Sequence, residues 1–198
     1  MMGVLTEMLE HNRTFVDNRE YEQFETDKFP GKNLAVLACM DARLVELLPK
    51  AMGLKNGDAK LIKNAGALVT HQWGSVMRSL VVAVYELGAQ EICVVAHRDC
   101  GMNAIDPARI LASAEARGVR HETIETLRAA GIDLEHWLKG FDKVEDSVRH
   151  TVSVIRSHPL IPKDIPIHGL VIHPTTGQLE LIVDGRQAAV AVAAAPVA

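Results

Sequence analysis

The chain has 198 residues, 48% of them hydrophobic and 23% charged, with a net charge of −4, which suits one domain burying its own core without disulfide staples. No concentrated run of Lys or Arg is present, which argues against nucleic acid or an anionic membrane as partner and favours a small-molecule substrate. The first ten residues lack a basic stretch, no apolar run reaches the length of a membrane span, and the cysteines number three; a cytoplasmic protein with reduced thiols is expected.

In chain order, Val4 to about Thr26 mixes apolar and charged positions at helical spacing and predicts one or two amphipathic helices, ended by Pro30-Gly31. Asn33 to Cys39 is a continuous apolar run, as expected of a strand buried on both faces. A short helix is expected over Leu44 to Ala51, and a second strand over Ala59 to Asn64 after a turn at Lys55 to Asp58. Thr70 is placed to cap a helix running through Trp73, Met77, Leu80, Val84 and Leu87 to a stop at Gly88. Glu91 to His97 is the strongest strand pattern, and Asp106-Pro107 reads as the N-cap and first position of a helix. Helices are expected near His121 to Ala130 and Phe141 to Ser157, then strands over Ile165 to His173 and Leu179 to Val183 joined by a hairpin at Thr176-Gly177.

This order predicts an α/β fold with a mostly parallel central sheet, order 2-1-3-4, an antiparallel edge strand, flanking helices and an N-terminal helical arm. A single domain over 1–198 is expected: arm 1–30, core 31–185 and an Ala/Val-rich tail 186–198.

Three soft ligands stand at strand ends. Cys39 closes the first buried strand, His97 closes the third, and Cys100 follows in the next loop. In an open α/β sheet, ligands bind beyond the carboxyl ends of the strands, where the winding direction switches. Neighbouring first and third strands would bring the three to one point, a donor set that zinc favours and that leaves a fourth position open. Cysteines are also common as small core residues, the natural reading of Cys93 in mid-strand. A Cys39–Cys100 disulfide is a further alternative, but it leaves His97 without a task. Asp41 and Arg43 follow Cys39. An arginine that holds the aspartate bidentately would keep it ionised and aim it away from a metal.

The motifs C-M-D-A-R at Cys39 to Arg43 and H-R-D-C-G at His97 to Gly101 resemble the paired signature of β-class carbonic anhydrases. K-N-A-G at Lys63 to Gly66, the Ser75/Ser79 helix and the G-L-V-I-H-P-T-T-G-Q-L hairpin extend the resemblance, which is to the short archaeal and bacterial branch. The resemblance implies one zinc ion per chain on Cys39, His97 and Cys100, with Asp41 and Arg43 as a catalytic dyad. It also implies a homodimer or higher homo-oligomer in which the N-terminal helices pack on a partner subunit. The implied reaction is reversible hydration of CO2 to bicarbonate by metal-bound hydroxide. Alternatives are hydrolysis of carbonyl sulfide or carbon disulfide at the same site, or a non-catalytic zinc-bound regulatory protein. Ala65, Gly66 and Gly101 are candidates to line the substrate pocket, because glycine lets backbone approach a ligand closely. His71 is a candidate proton relay, histidine being the residue type suited to moving protons at neutral pH. The hairpin carries V-I-H-P-T-T-G where many relatives have a tyrosine–aspartate pair.

Overall fold

The computed structural model describes residues 3–187. A five-stranded sheet runs in the order β2-β1-β3-β4-β5, built from β1 (Leu34–Cys39), β2 (Ala59–Asn64), β3 (Glu91–His97), β4 (Ile167–Ile172) and β5 (Leu179–Val183). The first four strands are parallel, and β5 pairs antiparallel with β4 at the edge. This is the expected order and the expected edge.

Strand side chains alternate between faces, and the two faces of β1 fill two cores. Ala35 and Leu37 join Met77, Leu80, Ile92, Val94, Val148 and Ile155 on one side. Val36 and Ala38 join Leu44, Leu48, Val95 and Ile172 on the other. Cys93 packs within this second core, as its mid-strand position suggested. Burial on both faces explains why β1 and β3 are almost unbroken apolar runs.

Helices α1 (Val4–Asp17), α2 (Leu44–Ala51), α3 (Ser75–Tyr85), α4 (Pro107–Ala116), α5 (His121–Ala129), α6 (Leu134–Leu138) and α7 (Val144–Ser157) complete the described chain. In α7, Val148, Thr151, Val152 and Ile155 lie at helical spacing on the buried face. They meet the sheet where Gly169 of β4 leaves room: a Cβ there would stand 2.5 Å from Val148 Cγ1. Helix α4 opens as expected, with Asp106 accepting a hydrogen bond from the Ala108 amide ahead of Pro107. Helix α1 buries no residue, and a 3₁₀ turn at Glu20–Phe24 follows it.

Two expectations change. Helix α3 starts at Ser75 behind Gly74, so Thr70 is not its cap. His71 is the reason: its Nδ1 accepts from the Trp73 amide and its carbonyl from the Gly74 amide, which makes a turn rather than a helix. The single-turn helix α6 was not anticipated. The tail expected over 186–198 lies outside the described residues from 188 onward. Among the described residues no helix is long and apolar enough to cross a membrane.

Candidate metal centre

Because β1 and β3 are direct neighbours, their carboxyl ends open on one crevice. Cys39 is the last residue of β1 and His97 the last of β3, while Cys100 returns from the loop beyond. All three are buried. Their ligand atoms lie within 4.8 Å of one another. Cys39 Sγ and Cys100 Sγ are 3.8 Å apart and both cysteines are free, so there is no disulfide. Two thiolates at about 2.3 Å from a tetrahedral ion would stand about 3.8 Å apart. The donor set therefore fits zinc in identity and in spacing.

His97 is prepared for the same task. Its Nδ1–H donates to the Arg98 carbonyl at 2.8 Å, which fixes the tautomer and leaves Nε2 as a lone-pair donor. Nε2 is fully buried and has no hydrogen-bond partner, an orphan that metal coordination would satisfy. Arg98 is itself held from two sides, by Glu145 of α7 and by Glu180 of β5.

Thiol and imidazole titrations reflect this crowding. The Cys100 side chain, hydrogen-bonded to Cys39, pulls the Cys39 thiol well below its ordinary value, aided by His97 and by the backbone of Asp41 and Gly66. The same Cys39 contact, with burial, pushes Cys100 up. At His97, burial favours the neutral ring, but the bond to Cys39 and its charge prevail and raise the pKa.

Asp41 sits beside the cluster, with Oδ2 3.6 Å from His97 Nε2. Arg43 donates to both carboxylate oxygens, from Nε to Oδ1 at 3.0 Å and from Nη2 to Oδ2 at 2.9 Å. That bidentate bond holds the Asp41 carboxyl at about 2. Asp41 is therefore anionic across the physiological range, an acceptor with its geometry fixed.

The loop after β2 forms the other wall. The Asn64 side-chain amide bonds both the amide and the carbonyl of Leu68, which folds Ala65 to Ala67 into a tight turn with Gly66 at φ +79°. Gly66 is buried, and a side chain there would press on Leu68 and Met102. Ala65 is half-buried at the start of the same turn. Gly101 is exposed and lines a separate cleft with Asn103, Asp106 and Arg109 on the α4 side. His71 is exposed and lines a cavity of about 620 Å³ together with His136, His150 and Phe141. Phe141 also lines the cleft beside His97 and Cys100.

Residues 34–179 match the profile of the carbonic anhydrase family. This chain belongs to the β-carbonic anhydrase family. It is 56% identical to YtiB of Bacillus subtilis, named provisionally as a carbonic anhydrase, over 93% of this chain and 98% of the relative. The crystal structure of β-carbonic anhydrase isoform I from Trichomonas vaginalis superposes with a TM-score of 0.85 at 36% identity, covering 93% of this chain and all of that one. A carbon disulfide hydrolase of Acidithiobacillus thiooxidans is 30% identical over 75% of this chain and 76% of its own length. As a family member the chain is a carbonic anhydrase-like enzyme.

The structure brings together Cys39, His97, Cys100, Asp41 and Arg43, all singled out from the sequence, and adds three residues that the sequence reading missed. Asp99 receives Arg43 Nη1 on its side chain and Nη2 on its carbonyl. Asn64 clamps the Gly66 turn, and Arg98 anchors the carbonyl that orients His97. A hint was available for Asp99 alone: an acid inside H-R-D-C-G, opposite an arginine.

Proposed function

We propose that this chain catalyses reversible hydration of CO2 to bicarbonate with one zinc ion on Cys39, His97 and Cys100. The observation that carries this reading is the convergence of those three donors beside an aspartate that arginine keeps ionised. Zinc, when bound, supplies the Lewis acidity that lets water lose a proton near neutral pH.

The chain's own residues divide the remaining work. Asp41 accepts a hydrogen bond at Oδ2 from the attacking oxygen and orients its lone pair. Arg43 keeps Asp41 from turning into a ligand itself, because both carboxylate oxygens are occupied. The backbone of Gly66 and Asp41 beside Cys39 favours its thiolate form. Leu68 and Met102, which occupy the space a side chain at Gly66 would need, offer an apolar surface to CO2, which carries no charge to be solvated. His71, which lines the cavity that shares Phe141 with the cleft beside His97, passes protons between the site and solvent.

Helix α1 buries no residue and leaves Val4, Leu5, Met8 and Leu9 in solvent, which supports a homodimer or higher homo-oligomer in which this arm packs on a second copy. A cytoplasmic location fits thiols that must stay reduced to hold a metal.

The kinship with carbon disulfide hydrolases favours one second reading, hydrolysis of CS2 or COS on the same donors. Measuring CO2 hydration and hydrogen sulfide release side by side on zinc-loaded protein separates them. We expect hydration to exceed sulfide release at every substrate concentration; the reverse order would assign the sulfur substrate.

A further inference from the structure

His97 is fully buried, and the Arg98 carbonyl takes its Nδ1–H at 2.8 Å. That carbonyl lies one residue beyond β3, where the strand has ended. Among the described residues no backbone amide bonds it. It turns only when the backbone rotates on one side or the other of the rigid 98–99 peptide.

Both rotations are restrained. On the Asp99 side, Arg43 holds the carboxylate and the carbonyl of that residue. On the Arg98 side, the amide donates to the Ile172 carbonyl at 3.0 Å, and the side chain is pinned at its far end. Nη1 meets Glu145 in the first turn of α7, and Nη2 meets Glu180 of β5 at 2.6 Å. These partners stand 47 and 82 residues away in sequence. One planar fork therefore ties the loop after β3 to a helix and to the edge strand of the sheet. Arg128 makes a similar bridge, to Glu125 and Glu135, but it joins α5 to α6, neither of which carries a metal donor. Partly exposed ion pairs add little to stability; what the Arg98 clamp fixes is the direction of one carbonyl.

We propose that Arg98, clamped by Glu145 and Glu180, is a positioning residue that sets how firmly His97 holds the metal, a role that rests on reading Cys39, His97 and Cys100 as the zinc site. Arg98 touches neither metal nor substrate. With the clamp open, the carbonyl turns from Nδ1, the imidazole loses the bond that fixes its tautomer and ring plane, and Nε2 is no longer held where the two sulfurs converge.

Zinc competition against a chromophoric chelator at fixed pH tests this on full-length protein. The parent is compared with Arg98→Met, Arg98→Lys, the double variant Glu145→Gln with Glu180→Gln, and Arg128→Met. Arg98→Met should weaken zinc by about 10–100-fold, the scale for losing a partner that orients a metal ligand. The double variant keeps Arg98 and removes the charges that hold it, and should weaken zinc in the same direction. Arg98→Lys, which keeps a charge able to reach one carboxylate, should recover part of the loss. Arg128→Met should hold zinc as the parent does. With cobalt in place of zinc, the visible bands of Arg98→Met should shift from those of the parent, since the imidazole is held differently. Parent-like zinc affinity in both Arg98→Met and the double variant, or an equal loss in Arg128→Met, would overturn the positioning role and leave the zinc site standing. A parent that takes up no zinc would remove both.

Discussion

Arg43 and Asp99 join the two loops that follow the strands ending in Cys39 and His97. Arg43 Nη1 reaches Asp99 Oδ2 at 3.0 Å and Nη2 reaches the Asp99 carbonyl at 2.9 Å, while the same guanidinium grips Asp41. Asp99 sits in the left-handed region at φ +55°, a conformation aspartate tolerates better than most residues. The loop after β1 and the loop after β3 are thus locked together across 56 residues of sequence.

Replacing Arg43 by Ala removes both the grip and the lock. The Asp41 carboxyl, held at about 2 by Arg43, should rise toward the ordinary carboxylate range of about 4. With the folded-state pKa depressed, the parent anion persists until pH falls through about 2; without Arg43 that loss begins at higher pH. We expect kcat/KM for CO2 hydration to fall by about 100-fold or more, the scale for loss of a positioning contact, and the acid limb of the pH profile to move upward. Stopped-flow hydration across the pH range checks both effects. A profile identical to the parent would remove the dyad from the mechanism.

Much of this was legible beforehand, for identifiable reasons. Strands β1 and β3 announce themselves because burial on both faces forces continuous apolar runs. Asp106-Pro107 carries its cap in the sequence. Asn64, Asp99 and Arg98 were not legible because their roles depend on partners that only folding brings close, such as Arg98 with Glu145 and Glu180. The start of α3 was misread because apolar spacing continues back to Val69, which is buried, while the His71 turn interrupts the helix without disturbing that spacing. Helix α6 is too short for periodicity to reveal, although Asp133 caps it through the His136 amide.

Gly169 tests the packing of α7 on the sheet. Alanine there would bring a methyl group to 2.5 Å from Val148 Cγ1 and 3.2 Å from Val152 Cγ2. Overpacking of this kind costs about 1–3 kcal/mol, and each kcal/mol lowers Tm by roughly 2–4 °C in a chain of this size. Calorimetry of Gly169→Ala should show that drop while zinc content per folded chain stays unchanged.

The arm tests the assembly. Leu5→Glu with Leu9→Glu alters two residues exposed on α1 and touches no buried contact within the chain. Sedimentation equilibrium should find the parent dimeric or larger and the double variant shifted toward monomer. A parent that sediments as a monomer would discard the arm's proposed role.

His71 tests the proton path. Its Nδ1 is engaged by the Trp73 amide, and the residue is exposed, so Nε2 is the nitrogen left to exchange a proton. His71→Ala should slow kcat in dilute buffer, with recovery when imidazole is added, and leave kcat/KM nearly unchanged. Turnover equal to the parent at every buffer concentration would exclude the relay.

The measurement that bears most directly on the central claim is stopped-flow CO2 hydration on protein whose zinc has been quantified, with Cys39→Ser beside it. Cys39 and Cys100, 3.8 Å apart, and His97 with its free Nε2 form the donor set. The account predicts about one zinc per chain, hydration that scales with zinc content, and loss of both in Cys39→Ser. Protein never exposed to chelator that carries no zinc, or hydration that survives in Cys39→Ser, would contradict it.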